Sequence, residues 1–302
     1  MAKPRSPFAR WLTRRVVHPL EAALVWFSSA AFRALPVDKA SDLGGWIGRT
    51  LGPRLPGSKI ARRNLTRAFP EKSAADIESI LTAMWDNLGR TIAEYPHLDT
   101  VGDIGPGGRS ELVGGEHIDL LRDDGVGGIL VSGHIANWEV PSVCVRKRGV
   151  ELALVYRAPN NPMVDTMLTG LREAATSTHI PKGPQGARSL IRILAHGGHV
   201  GMLVDQKMND GIPVRFFGRD AMTAPAAAQL ALRFGIPIVP VRGERLEGAR
   251  FRITVFPPVE PPATGDRNAD IRIVMERLNG MLESWVRERP EQWLWVHRRW
   301  PD

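Results

Sequence analysis

The sequence predicts an α/β fold, a mostly parallel, helix-flanked mixed sheet preceded by N-terminal membrane-associating helices. Three observations carry that expectation. From Gly114 onward short apolar runs alternate with stretches of helical periodicity, the pattern of a sheet covered on its faces by helices. Upstream of that point the chain reads as one helix after another. The positive charge is also lopsided: residues 1–67 hold thirteen Lys and Arg against three acids, whereas the whole chain of 302 residues has a net charge of only +8.

The N-terminal end begins with a basic flank that includes Arg14 and Arg15, followed by the apolar run Leu20–Leu35 and Pro36. Its uninterrupted core, Ala22–Phe32, is shorter than the roughly 20 residues a spanning helix needs, and Glu21 and Arg33 bracket it. A helix lying in the membrane interface fits both composition and charge, since each Lys or Arg near anionic headgroups contributes about 1 kcal/mol. The competing reading is an ordinary amphipathic core helix with a solvated basic flank. A cleaved signal peptide fits poorly, because the apolar run starts late and no small-residue cleavage site follows it. Residues 1–57 are therefore read as a basic membrane-associating region, and 58–302 as one α/β domain.

Just upstream of that domain Gly44–Pro56 is rich in Gly and Pro, and within it Ser58–Pro70 reads as a basic helix ended by proline. Ser73 and Asp76 form a candidate capping box opening a helix to about Ile92, with Ile77, Ile80, Leu81, Met84 and Leu88 at helical spacing. Residues 58–100 are expected to form a helical, lid-like layer. Expected strands are Gly128–Ser132, Leu152–Val155, Val200–Val204, Ile236–Val241 and Phe251–Phe256, with helices near 163–175, 187–194, 224–234 and 271–287.

With 43% apolar and 24% charged residues the chain can bury a large core, which excludes a disordered or low-complexity protein. A single cysteine, Cys144, excludes an internal disulfide and a cysteine zinc site. No zinc-finger, RRM or KH pattern is present, so no nucleic-acid partner is expected. His196-Gly-Gly-His199 lacks a third ligand at metal spacing, and the glycines at Gly114–Gly115 and Gly125–Gly128 form no dinucleotide fingerprint. Neither metal nor organic cofactor is expected.

The most chemically loaded segment is Gly128-Ile-Leu-Val-Ser-Gly-His134-Ile-Ala-Asn-Trp-Glu139, an apolar strand running into a turn. Strand ends are where such sheets expose chemistry. A neutral imidazole can take a proton from an alcohol, and a carboxylate on its other nitrogen fixes the tautomer, so His134 is the candidate base and Glu139 its orienter. Five residues on a regular helix place two side chains about 140° apart, so the pair can meet only across a turn.

The chain resembles the late lipid A biosynthesis acyltransferases, of the lauroyl and myristoyl type within the glycerolipid acyltransferase superfamily. The resemblance rests on Ala61–Glu71 (ARRNLTRAFPE), Met84–Gly89, Gly133–Glu139, Val155–Arg157 with Asn161-Pro162, and Asp205-Gln206. It continues through Phe216–Gly218 with Thr223, Gly235–Pro240 and Gln292–Trp300. It implies the sheet of that superfamily, His134 as general base, Glu139 as its partner in an HxxxxE motif, and transfer of an acyl chain from a thioester to a lipid hydroxyl. The donor expected is acyl-carrier protein, and the acceptor an anionic lipid A precursor of lipopolysaccharide. The superfamily block Phe-Pro-Glu-Gly-Thr stands here as the divergent Arg215-Phe-Phe-Gly-Arg-Asp-Ala-Met-Thr223.

Around this centre, Arg157 follows a strand, and its guanidinium is suited to a phosphate or a developing oxyanion, against a structural ion pair. Backbone N–H groups of the His134 turn are the other candidates for the oxyanion. Asp205 and Gln206 are expected at the same sheet edge, orienting Arg157 or lining the acceptor site, or serving structure alone. Arg215, Arg219 and Thr223 precede a helix expected at Ala224, whose N-terminus suits an anion, or whose cap is Thr223. Trp293, Trp295 and Trp300 form either an interfacial aromatic belt or packing in the C-terminal tail. Two alternatives stand beside acyl transfer to lipid A. One is acyl-CoA-dependent acylation of another glycolipid or lysophospholipid; the other is a non-enzymatic basic peripheral membrane protein.

Overall fold

The computed structural model describes residues 6–176 and 178–300. The first five residues of the basic region lie outside the described residues. Seven strands form one sheet in the order β1 (Ser110–Val113), β9 (Phe251–Val255), β8 (Ile238–Arg245), β2 (Gly128–Ser132), β5 (His199–Leu203), β3 (Leu152–Tyr156) and β4 (Thr178–Pro181). β8, β2, β5, β3 and β4 run parallel, while β9 is antiparallel to β8 and carries β1 parallel to itself, so the sheet is mixed and mostly parallel. A separate hairpin joins β6 (Lys207–Phe216) to β7 (Arg219–Thr223).

The central strands form because their residues are apolar on both faces: Ile129, Leu130 and Val131 of β2 and Val200 of β5 are all buried. Helices including Val140–Lys147, Pro184–Ala195, Ala226–Phe234 and Arg267–Glu288 supply the apolar cover, and one continuous core results. Cys144 is buried with its thiol donating to the Gly102 carbonyl (3.5 Å), and burial pushes its pKa up to about 12, which makes it a packing residue.

Upstream, helices run over Pro7–Leu12, His18–Arg33, Val37–Leu51, Gly57–Ala68 and Ala74–Glu94. The capping box is present as read: Ser73 accepts from the Asp76 N–H, and Asp76 reaches back to Ser73. The first half of the stretch rich in Gly and Pro is helical. Gly44 and Gly48 lie inside the helix Val37–Leu51, where a Cβ would sit 2.4 Å from the Gly89 carbonyl oxygen and 2.0 Å from that of Trp85 respectively. Their helical glycine cost is offset by backbone contact with Ala74–Glu94 that a side chain would forbid.

The helix Ala74–Glu94 is fastened to the sheet by a buried ion pair. The Arg245 guanidinium at the end of β8 meets the Glu94 carboxylate, with Arg245 Nη2 3.0 Å from Glu94 Oε2, and also donates to Asn87 Oδ1 (2.9 Å) and the Gly248 carbonyl (2.9 Å). Glu94 in turn accepts from Ser41 (2.6 Å) and Asn137 (3.0 Å).

No helix among the described residues is long and apolar enough to cross a membrane. The N-terminal helices instead expose Phe8, Trp11, Leu20, Leu24, Trp26 and Phe27, each more than half accessible.

Candidate active site

β2 and β5 are hydrogen-bonded neighbours in parallel, with Ser132 opposite Leu203. Two residues past each of those positions stand His134 and Asp205, so the ladder itself sets them side by side. His134 Nδ1 lies 2.7 Å from Asp205 Oδ1, and the His134 backbone N–H donates to Oδ2 (2.7 Å). Trp293 Nε1 donates to that same oxygen (2.7 Å). Burial alone would raise the pKa of Asp205; the facing imidazole and its hydrogen bonds overcome this and hold it well below the usual carboxylate range. An ionised Asp205 requires the proton on Nδ1, which leaves Nε2 as the basic lone pair. Gln206 Nε2 sits 3.2 Å from that lone pair.

This corrects the expected dyad. Asp205, not Glu139, holds the imidazole, and Asp205 orients His134 rather than Arg157. Glu139 does reach the same cavity, but its carboxylate accepts from Arg172 Nε (2.8 Å) and Tyr95 OH (2.8 Å). The segment between them is a turn, with Ala136 in the left-handed region (φ 51°), yet the helix Val140–Lys147 starts directly after Glu139 and commits its side chain to Arg172. Burial, with the Glu139 charge adding to it, pushes the Tyr95 phenol up, so Tyr95 stays a neutral donor. Arg172 gave no sequence signal, being an isolated arginine just past the helix Pro162–Leu171.

The turn is nailed down by the C-terminal tail. Ala136 N–H donates to the Gln292 carbonyl (2.8 Å), Leu294 N–H to the His134 carbonyl (3.0 Å), and the Ile135 N–H to Gly133 (2.8 Å). With the His134 amide on Asp205, those three turn amides are spoken for and do not form the expected oxyanion hole. Trp293, Trp295 and Trp300 are buried around Phe216 and Phe217, so the interfacial-belt reading is replaced by packing.

His134, Glu139, Arg157, Arg172 and Gln206 line one cavity of about 360 Å³. Its deeper wall is apolar, with Leu130, Val145, Leu152, Leu154 and Val241. Arg157 is exposed at the cavity wall, as the strand-end reading expected.

Arg215, Arg219 and Thr223 are elsewhere. The hairpin β6–β7 pairs Arg215 with Asp220 and Phe216 with Arg219, which leaves both arginines exposed; Arg215 donates to the Gly218 carbonyl (2.9 Å). Thr223 ends β7 fully buried, donating to the Ala221 carbonyl (2.9 Å) and accepting from Arg299 Nη2 (2.8 Å). The following helix starts at Ala226 without a side-chain cap, so Thr223 is neither cap nor ligand. No cluster of His, Cys, Asp and Glu able to hold a metal occurs among the described residues.

The matching family model is that of the bacterial lipid A biosynthesis acyltransferases, over residues 12–302. The chain belongs to that family. The acyltransferase is 26% identical to the lipid A biosynthesis myristoyltransferase of Escherichia coli (strain K12) over 257 residues, 83% of this chain and 77% of the relative. It is 24% identical to the lauroyltransferase of the same organism, over 80% of this chain and 78% of the relative, and 24% identical to its palmitoleoyltransferase, over 95% and 94%. The acyltransferase therefore works in lipid A biosynthesis.

One pH dependence follows from the packing behind the site. Burial pushes the pKa of His297 down to about 4, with Asp205 and a backbone hydrogen bond to Leu294 opposing and His134 and Arg299 assisting the shift. Between pH 6.5 and about 4 the unfolded chain binds a proton there that the folded chain refuses. Stability is expected to fall with pH through that window, by at most about 3 kcal/mol from His297. Thermal melts across the window test this, with a shallower slope expected for His297→Gln.

Proposed function

We propose that this acyltransferase moves a fatty acyl chain from the thioester of acyl-carrier protein to a hydroxyl of an anionic lipid A precursor, at the cytoplasmic face of the inner membrane. The observation that carries the reading is the His134 Nε2 lone pair, fixed by Asp205 and facing a cavity with an apolar depth. The acceptor hydroxyl displaces the Gln206 amide from Nε2 and gives its proton to the imidazole. Its oxygen attacks the thioester carbon, and collapse of the tetrahedral adduct expels the thiolate, which takes the proton from His134. Gln206, pushed off the imidazole, supplies an amide donor to the developing oxyanion. Glu139 and Tyr95 hold the Arg172 guanidinium at the cavity wall. The acyl chain lies along Leu130, Leu152 and Leu154.

Membrane association is supported by the exposed Phe8, Trp11, Leu24, Trp26 and Phe27 together with the basic N-terminal charge. Asn161 braces this region to the site: its amide donates to the His18 carbonyl (2.8 Å) and Glu21 (3.0 Å), while its oxygen accepts from Met163 N–H at the start of the helix Pro162–Leu171. An acidic carrier protein and an anionic lipid both favour a basic surface.

The test is incubation of membranes carrying the protein with labelled acyl-carrier-protein thioesters and the tetraacylated, Kdo-bearing precursor, followed by mass analysis. A gain of one acyl chain is expected. Transfer from acyl-CoA alone, or to a lysophospholipid in preference, would overturn the donor or the acceptor.

A further inference from the structure

β3 and β4 pair in parallel with Tyr156 opposite Pro181, and the Lys182 N–H donates to the Tyr156 carbonyl (2.9 Å). The next residue on each strand is a cation, so Arg157 and Lys182 emerge side by side. Both line the His134 cavity. Neither charged end has a hydrogen bond or ion pair among the described residues, although nearly every other arginine around the site has a carboxylate or a carbonyl. Desolvation at the cavity wall lowers the pKa of Lys182 and the Arg157 charge adds to it, with only Asp205 opposing. Asp205 is itself committed to His134 and Trp293. Two adjacent, uncompensated cations at the mouth of a site repel each other until an anion sits between them.

We propose that Arg157 and Lys182 together form a phosphate-binding subsite for the acceptor, taking a phosphate monoester carried on the sugar close to the hydroxyl that His134 deprotonates. This rests on the acyl-transfer reading above. A phosphate on the thioester donor is the other source of the same chemistry, but the pantetheine arm separates it from the thioester by a chain too long for a cavity of about 360 Å³. The planar guanidinium supplies a two-pronged grip and the ammonium a point charge on the remaining oxygens.

The test uses the full-length enzyme with acyl-carrier-protein thioester and the glycolipid acceptor, with and without its sugar phosphate. Lys182→Ala is expected to raise KM for the phosphorylated acceptor by about tenfold or more, the loss of a charge-assisted hydrogen bond, with donor KM unchanged. Lys182→Arg restores most of that loss. With the dephosphorylated acceptor the wild-type KM is already raised, and Lys182→Ala adds nothing. A rise in donor KM instead places the phosphate on the donor and overturns the assignment; equal losses on both acceptors reduce Lys182 to structure and also overturn it. A second readout needs no turnover: the phosphorylated acceptor slows labelling of Lys182 by an amine-reactive reagent, read by peptide mass, and the dephosphorylated one does not. Labelling blind to both overturns the subsite even where acyl transfer is confirmed, whereas protection without turnover removes the acyl-transfer reading and keeps the subsite.

Discussion

Replacing Asp205 with Asn lowers kcat for acyl transfer by about 10²–10⁴-fold, as removal of a positioned base or of its tautomer does. Replacing His134 with Ala removes the base itself and abolishes transfer. The two effects belong to one unit, so the double variant is little worse than His134→Ala. Glu139→Gln separates the structural result from the motif-based expectation. If Asp205 is the orienter, Glu139→Gln keeps the pH profile of kcat set by His134 and acts through Arg172 and Tyr95, to which it is bonded. Asp205→Asn instead disturbs that profile, because the amide offers the imidazole and Trp293 a neutral partner in place of an anion. Steady-state kinetics across pH on the three variants, with circular dichroism confirming their fold, decides between the two carboxylates; an unaltered profile in Asp205→Asn would refute the assignment.

The second large effect is on stability. Arg245→Met leaves Glu94 buried opposite an apolar side chain, and breaking a buried pair from one side costs about 3–5 kcal/mol. Because Glu94 also holds Asn137 of the catalytic turn and Ser41 of the helix Val37–Leu51, the loss reaches both layers of the molecule. Denaturant unfolding measures the cost directly. Adding Glu94→Met to Arg245→Met is expected to recover part of it, since no charge is then stranded; a double variant less stable than Arg245→Met alone would contradict the account.

What the sequence made legible depends on how local each signal is. β2, β3, β5 and β9 announce themselves as continuous apolar runs, whose bounds in the sequence lie within a residue of the observed strand ends. β4, with the sequence Thr-His-Ile-Pro, and the polar first half of β6 carry no such run, because their residues are half exposed at a sheet margin or in a separate hairpin. The helix through Gly44 and Gly48 was hidden for the opposite reason: its glycines answer to a neighbouring helix that a linear reading does not see. The same limit governed the site. His134 stands out from its own surroundings, and the nearest carboxylate in the chain is Glu139. The true partner is 71 residues away and arrives through strand pairing. Arg172 and Lys182 have no distinguishing neighbours at all; only their place beside Glu139 and Arg157 marks them.

β2, β5, β3 and β4 are consecutive in the sheet, and just beyond their carboxyl ends stand His134, Asp205 with Gln206, Arg157 and Lys182 in turn. The interval that matters at each is therefore counted from the last ladder hydrogen bond, not along the chain between motifs. Connections between these strands tolerate insertion freely, whereas one residue added between a strand end and its functional side chain swings that side chain to the opposite face. Divergent members of such a family are best aligned by strand termini, and a HxxxxE match without an aspartate at the end of the neighbouring strand marks a chain whose imidazole has lost this orienter.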